Sequence, residues 1–582
     1  MERTSAQTHR ETNETPNSIV FPQANITAIN AIADIFEPTL GPRAMDVLLL
    51  DAHADDASNG GAPPDYIVSG DGTRLLRALS VEHPVGELLE RSIGPTRPGD
   101  TDIDGKDIFD GISSQIVFAD ALLTNSTELL ENGLHPQQII AGFRSGLSIA
   151  DETLSASSIS TAADTDVSAV DAARTALTGN NFGNIRTQVA HLAAEAATTV
   201  GMPNERTFDV TTIRHGSIRD SRLIDGVVLD RNIVVHQDMP RRIEDASVLL
   251  LGGHERGGLQ DPDVVDSFTV DIESPETVGE FERQEAQKRR DVVDRIAETG
   301  ANVVVTQMGI NSHYQQLLAE HGIMAIRSVH PRNLRRLSLA TGAMIVKGQQ
   351  GIAAAHLGHC DTVVEEEIEQ RKHRRKHRRM VVFDGCPAPN SVTMLLRGTF
   401  GQLESQTTRE VRKATNAAAQ SMSETSSLGG VVPGGGAIEM AIARAVRREA
   451  HTVGAKTQLA MNAFATALES VVQTLVRNAG EDPLETVTEL RAANKRHSST
   501  GFVLPDGEIT DSLAAGVVDP AATKKNVYTS ATDLAMLVLR VDDALDATLD
   551  EKSVDVGEAV YQDPAERHQE YIDETDSSTV WD

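Results

Sequence analysis

The stretch Val431-Val432-Pro433-Gly434-Gly435-Gly436-Ala437-Ile438-Glu439 decides how this 582-residue chain is read. A proline followed by three glycines does not sit inside a helix, because glycine leaves the backbone unrestricted and proline has no N–H to donate. Residues 435–447 then take up helical periodicity. The stretch therefore reads as the glycine-rich mouth of a helix, where N–H groups without intrahelical partners can face a ribose or a phosphate. A tight turn with no ligand is the competing reading, and the stretch alone leaves both open.

Three other sites share this form. Leu40-Gly41-Pro42-Arg43-Ala44-Met45-Asp46 follows a segment of helical periodicity. Gly70-Asp71-Gly72-Thr73 lies between an apolar strand at 66–69 and a helix starting near Leu75. Asp110-Gly111-Ile112-Ser113-Ser114 opens a long helix at 113–130, closed by Asn132-Gly133. At this last site glycine admits a ligand to the backbone, the helix start presents N–H groups to an anion, and Ser113 and Ser114 add hydroxyls. Asp110 does not bind phosphate itself but can hold Mg²⁺ bridging phosphate oxygens. The plainer alternative is that Asp-Gly is a turn dipeptide and the aspartate a helix cap. No Gly-x-x-x-x-Gly-Lys-Ser/Thr occurs, and Gly252-Gly253 with Gly257-Gly258 lacks dinucleotide spacing and reads as a loop.

Between these sites the chain changes character twice. Residues 26–36, 113–130 and 137–147 read as helices, with a Ser/Thr/Ala/Asp-rich boundary at 155–170. Short apolar runs at 248–251, 303–305, 324–326 and 344–346, with a helix at 281–299, read as an α/β layer. Long periodic segments at 435–447, 458–477, 485–494 and 529–545 return to helix. The order α, α/β, α fits a helical domain interrupted by an inserted α/β domain.

Composition narrows the function classes. Asp and Glu number 85 against 53 Lys and Arg, a formal net charge of −32, which repels nucleic acid and anionic membranes. Arginine outnumbers lysine and aromatics are 3%, the composition of a protein held in molar salt, where screening acts over about 3 Å. An acidic binding surface is the second reading of the charge. Hydrophobic residues at 40% support a folded chain, and 2 cysteines give no disulfide framework and suit a reducing compartment. No uninterrupted apolar run approaches the ~20 residues of a membrane span. Residues 1–17 lack the apolar centre of a signal peptide. A cytoplasmic multidomain protein is expected.

Taken together, the glycine sites resemble those of the group II chaperonins, the archaeal thermosome and eukaryotic CCT family. Residues 40–46 resemble its Leu-Gly-Pro-Lys-Gly-Met-Asp, residues 70–73 its Asn-Asp-Gly-Ala-Thr, and residues 432–439 match it almost letter for letter. Asp482-Pro483-Leu484, Ala515-Gly516-Val517-Val518-Asp519-Pro520, Leu539-Arg540-Val541-Asp542-Asp543 and, mid-chain, Met239-Pro240-Arg241-Arg242 continue the resemblance. It implies a mainly α equatorial domain at 1–150 and 429–582 that binds ATP and a small α+β intermediate domain at 151–222 and 384–428. An α/β apical domain at 223–383 would bind unfolded polypeptide, with a helical protrusion near 274–297 as a built-in lid. Subunits would stack as a homo- or hetero-oligomeric double ring that assists protein folding. The resemblance assigns Asp71 and Asp110 to the chemistry, with Mg²⁺ on Asp110. Leu40, Gly41, Pro42, Gly72, Thr73, Gly111, Ser113, Ser114, Gly434, Gly435 and Asp519 would hold ATP, the last two at its ribose end.

Several ATP-handling positions depart from the family. Its Gly-Asp-Gly-Thr-Thr stands here as Phe109-Asp110-Gly111-Ile112-Ser113, a bulky ring and a lost hydroxyl beside the phosphates. The aspartate that orients the attacking water falls on Ala417 or Ala418, and no carboxylate lies between Glu410 and Glu424. Losing such a group lowers hydrolysis by about 10²–10⁴. The lysine expected after Thr178-Gly179 is Asn180, Ala44 replaces a glycine, and residues 96–107 read as an insertion. A non-hydrolysing structural or regulatory paralogue in a hetero-oligomer is therefore the alternative. Separately, Arg371–Arg379 is a basic block preceded by Glu365, Glu366, Glu367 and Glu369. It reads as a solvated hairpin whose arms neutralise each other, or as a contact for an acidic partner subunit or RNA, although no aromatic is interleaved for stacking on single strands.

Overall fold

Both ends of the long middle of the chain return to one apolar core, and this return organises the fold. A computed structural model describes residues 20–50, 66–79, 83–93, 111–161, 167–179, 182, 185–213, 216–230, 232–253, 258–260, 275–349, 351–368, 378–387, 389–398, 403–423, 429–504 and 507–541. Residues 22–540 form one unit by contact; of the second, residues 1–21 and 541–582, only 20, 21 and 541 are described.

The N-terminal stretch is helical, apart from one hairpin. Helix α1 (Val20–Phe36) stops at Pro38 in a 3-10 turn, and β1 (Val47–Leu50) pairs antiparallel with β2 (Tyr66–Ser69). Then come α2 (Gly72–Ala78), α3 (Pro84–Ile93), α4 (Ile112–Glu131) and α5 (Pro136–Ser157). Small residues Ala119 and Ala121 let neighbours approach α4 closely, so Ile116, Phe118 and Leu122 are fully buried. Helix α5 runs on to Ser157, beyond the expected end at 147, because Ala150 and Leu154 continue its buried stripe.

A connecting layer follows, with α6 (Ala169–Ala176), α7 (Arg186–Val200), β3 (Phe208–Ile213) and β4 (Arg222–Ile224). Next come β5 (Val227–Asp230), β6 (Arg242–Gly252), α8 (Pro275–Glu298), β7 (Val303–Thr306), α9 (Ser312–Glu320), β8 (Met324–Ile326), α10 (Pro331–Thr341), β9 (Ile345–Lys347), β10 (Gly358–Ile368) and β11 (Arg378–Asp384). Their sheet runs β5-β11-β10-β6-β7-β8, with β9 also on β6; β6, β7, β8 and β9 are parallel, and the β10–β11 side is antiparallel. The expected α/β layer is thus a mixed sheet. Strand β12 (Val392–Arg397) returns to pair parallel with β3, and α11 (Leu403–Met422) closes this layer.

The remaining elements are β13 (Val431–Pro433), α12 (Ala437–Ala450), α13 (Ala455–Ala479), α14 (Pro483–Asn494), β14 (Thr500–Val503), β15 (Glu508–Asp511), β16 (Val518–Pro520) and α15 (Ala521–Val538). The helix expected at 529–545 is misplaced: Pro520 sets its start and its helical turns end at Val538, with 542–545 outside the described residues. Within α13, Lys456–Ala479 is long and apolar enough to cross a membrane, but most of it is buried, including Met461, Phe464 and Leu468.

Three main cores result. The first joins residues between 26 and 154 to residues between 432 and 539, where the ring of Phe118 meets Phe464 and Tyr528 edge-on at 5.5 and 5.6 Å. The second is drawn from residues between 227 and 386, and the third from residues 169–208 and 392–419. The protrusion expected at 274–297 falls on α8.

Of the basic block, 371–377 lie outside the described residues; Arg379 faces Glu367 across the β10–β11 hairpin. Glu365 is held instead by Arg241 at 2.6 Å, and Glu366 lies 3.5 Å from Arg222 and 3.7 Å from Arg397. The arginines that answer these two glutamates come from outside the hairpin.

Candidate functional site

A cavity of about 610 Å³ opens where the first and third cores meet, a size that accommodates a cofactor-sized ligand. Chain segments remote in sequence supply its walls. The turn after α1 brings Leu40, Gly41 and Pro42; the start of α2 brings Asp71, Gly72 and Thr73; the start of α4 brings Gly111, Ser113 and Ser114. Gly435 and Asp519 close the far side. Gly434 is not on the wall; a Cβ there would lie 3.3 Å from Asp519 Oδ2, so it gives room behind that carboxylate. Asp110 and Asn180 lie outside the described residues.

The glycines have specific reasons to be glycine. Gly111 has φ +89° at the head of α4, and a Cβ there would lie 2.7 Å from Val527 Cγ2. A Cβ on Gly72 would lie 2.7 Å from Ser113 Oγ, the hydroxyl that also meets Thr39 Oγ1 at 2.8 Å. Gly435, at φ +63°, sits so close to Phe502 that a Cβ would lie 2.5 Å from its carbonyl oxygen. The backbone of α2, α4 and the triple-glycine turn therefore reaches the cavity without side chains in between, the arrangement that suits an anion at helix starts.

Helix α11 forms the roof. Gln406, Arg409, Glu410, Lys413 and Ala417 recur at three- and four-residue steps and share the face toward the cavity. Ala418 points away into the third core and is fully buried. Of the two positions expected to carry the lost aspartate, Ala417 is the one on the cavity wall. Lys413 Nζ lies 2.7 Å from Asp71 Oδ2, while Asp71 also accepts from the Arg74 amide at 3.0 Å as the cap of α2. The cap reading of Asp71 is thus met, and its second oxygen faces Lys413 on the cavity wall. Burial raises the Asp71 carboxyl, but Lys413 and the Arg74 amide outweigh it and hold it below the usual range. Glu410 is pushed up to about 7 by burial, only partly offset by Gln406, Lys413 and Arg409.

Beside Asp519, and also on the cavity wall, lies a second charged group. Lys524 Nζ is 3.1 Å from Asp519 Oδ2 and 2.7 Å from Glu439 Oε1, and Tyr528 Oη donates to the same oxygen at 2.8 Å. Lys413, Arg409, Glu410 and Lys524 escaped the sequence reading. The first three were findable from the polar stripe at 406, 409, 410 and 413; nothing in the spacing marks Lys524 as a neighbour of Glu439.

Among the described residues no three metal-ligating side chains converge. Asp71, paired with Lys413, does not offer a lone carboxylate to a cation. The cavity suits a phosphate-bearing ligand, and its carboxylate–hydroxyl and amide groups suit a polar one.

The sequence profile of the TCP-1/cpn60 chaperonin family matches residues 32–548. The thermosome subunit beta of Aeropyrum pernix is 34% identical over 532 residues, 90% of this chain and 91% of that one. A thermosome subunit of Pyrococcus horikoshii is 33% identical over 536 residues, covering 91% of each chain. The thermosome subunit alpha of Archaeoglobus fulgidus is 31% identical over 531 residues, 90% of this chain and 91% of the relative.

Proposed function

The chain belongs to the TCP-1/cpn60 chaperonin family, as a group II chaperonin, and from that membership we propose that it is an ATP-binding subunit whose hydrolysis is weak. The observation that carries this reading is the convergence of four glycine-bearing segments, at 40–42, 70–73, 111–114 and 434–436, around one cavity. The helix starts at Gly72 and Gly111 take the phosphates, and Gly435 with Asp519 takes the ribose. Asp110 is the residue we assign to Mg²⁺, which would neutralise phosphate charge when bound. Ala417 on the cavity wall supports weak turnover, since a methyl group neither accepts a proton nor orients water.

The three-domain organisation belongs to the same proposal: an equatorial domain from both chain ends, an intermediate domain around α11, and an apical domain around the mixed sheet that binds unfolded polypeptide. Relatives named as alpha and beta thermosome subunits support assembly with itself or with related subunits in a double ring. A cytoplasmic location follows the same reading.

Calorimetric titration with Mg-ATP in molar KCl, together with phosphate release, tests it. Binding with little phosphate release is expected. A chain that binds no nucleotide rejects the reading, and turnover at the rate of an ordinary chaperonin rejects its weak-hydrolysis part.

A further inference from the structure

We propose that Lys524 is the positioning residue for Asp519: clamped by Glu439 and Tyr528, it holds that carboxylate where it accepts hydrogen bonds from the ribose hydroxyls of the nucleotide. The inference rests on the nucleotide reading of the cavity and adds to it how the ribose end is kept in place.

The backbone of Asp519 is fixed first. Val432 faces Asp519 across the β13–β16 pair, and Gly434 donates its N–H to the Val517 carbonyl at 3.0 Å. These contacts set Asp519 beside the triple glycine, yet they leave its side chain free to rotate. Lys524, in the first turns of α15, supplies the missing restraint by engaging Oδ2 at 3.1 Å. The ion pair occupies that oxygen and leaves Oδ1 for a ligand hydroxyl.

The lysine is itself held. Glu439, in the first turn of α12, is almost fully buried and takes both the Lys524 ammonium and the Tyr528 hydroxyl on Oε1. Lys524 and Tyr528 are four apart on α15 and so share one face. Two carboxylates thus share one ammonium. Tethered to Glu439 as well, the ammonium restrains Asp519 through Oδ2 without neutralising it fully. Burial lowers the Lys524 ammonium, but Asp519 and Glu439 outweigh it and keep it charged.

The test compares Mg-ATP with Mg-2′-deoxy-ATP and Mg-3′-deoxy-ATP by calorimetry on the full chain, the Lys524→Met variant and the Tyr528→Phe variant, with fold checked by circular dichroism. A hydroxyl bonded to a charged carboxylate corresponds to roughly a tenfold preference or more. The wild-type chain is expected to prefer ATP by about that factor. Lys524→Met should abolish the preference, lowering the affinity for ATP more than that for the deoxy nucleotides. Tyr528→Phe, which removes one hydroxyl and keeps the ring in its core, should reduce the preference about threefold and covers the case in which Lys524→Met does not fold. A preserved preference in the variants, or an equal fall for all three nucleotides, overturns the positioning role. So does a wild-type chain that binds all three equally. If the wild-type chain binds none of them, the nucleotide reading itself falls, and the positioning role with it.

Discussion

Lys413 Nζ sits 2.7 Å from Asp71 Oδ2 and ties the roof helix α11 to the turn that opens α2. The neighbouring Arg412 reaches the opposite way, to Asp209 Oδ1 at 2.6 Å, while Arg336 binds Oδ2 of the same carboxylate at 3.0 Å. Two consecutive residues of α11 therefore anchor it to the cavity on one side and to β3 and α10 on the other.

Replacing Lys413 with glutamine should expose the cost of leaving Asp71 buried and unpaired. Both side chains are mostly buried, so the loss is expected at roughly 2 kcal/mol, below the full range for a broken buried pair because solvent still reaches both groups. Because the folded carboxyl is held low, its stabilisation is present above its unfolded value of 3.8 and disappears as pH falls through the lower folded value. Denaturation profiles from pH 7 to pH 3 should show the variant less stable at neutral pH and converging with wild type in acid. Equal midpoints at pH 7 would sink this assignment.

Glu410 behaves in the opposite sense. Its folded carboxyl is raised from 4.5 to about 7, chiefly by burial, so its contribution is fully present below about pH 4.5 and is lost as pH rises toward 7. Glu410→Gln removes the charge that burial disfavours. The variant should match wild type near pH 5 and be more stable at pH 8 by about 1–3 kcal/mol, flattening the decline between. A decline that is unchanged in the variant means another group titrates there.

Glu469 on α13 binds two arginines at once. Arg447 of α12 meets it at 2.5 and 2.7 Å, and Arg491 of α14 at 3.0 and 2.7 Å. Glu469→Gln leaves two guanidiniums facing a neutral amide at a nearly buried carboxyl, and a loss of about 3 kcal/mol is expected. Thermal unfolding in molar KCl is the measurement, since high salt screens the exposed surface pairs and leaves the buried cluster. A change below about 0.5 kcal/mol would mean the cluster is no stronger than a surface pair.

Legibility in the sequence followed the range over which each signal acts. Helices α4, α12 and α13 were readable because their buried stripes and glycine ends are local. Gly41, Asp71, Gly111 and Gly435 stood out one by one, but their meeting at one cavity depends on chain ends brought together by the first core. Strands β3 and β12 were missed: their parallel pairing joins Phe208 to Val392 across the whole α/β middle, and nothing local announces it. The choice between Ala417 and Ala418 was beyond spacing alone, because one residue of helix turns a side chain by about 100°. Only the faces of α11 separate them.

That separation makes the sharpest prediction about catalysis. Ala417 lines the cavity on the same face as Lys413 and Glu410, whereas Ala418 is packed in the third core beside Ala414. An aspartate at 417 would present a carboxylate to the cavity proposed to hold the nucleotide; one at 418 would bury a charge among apolar side chains. Ala417→Asp should therefore raise ATP turnover by at least about 10²-fold, with nucleotide affinity little changed. Ala418→Asp should instead unfold or strongly destabilise the chain, by about 3 kcal/mol or more. Phosphate release by both variants, read beside their melting curves, separates the two positions. If Ala417→Asp folds, binds ATP and still turns over at the wild-type rate, the missing carboxylate is not what limits this site, and the altered approach near Ile112 becomes the place to look.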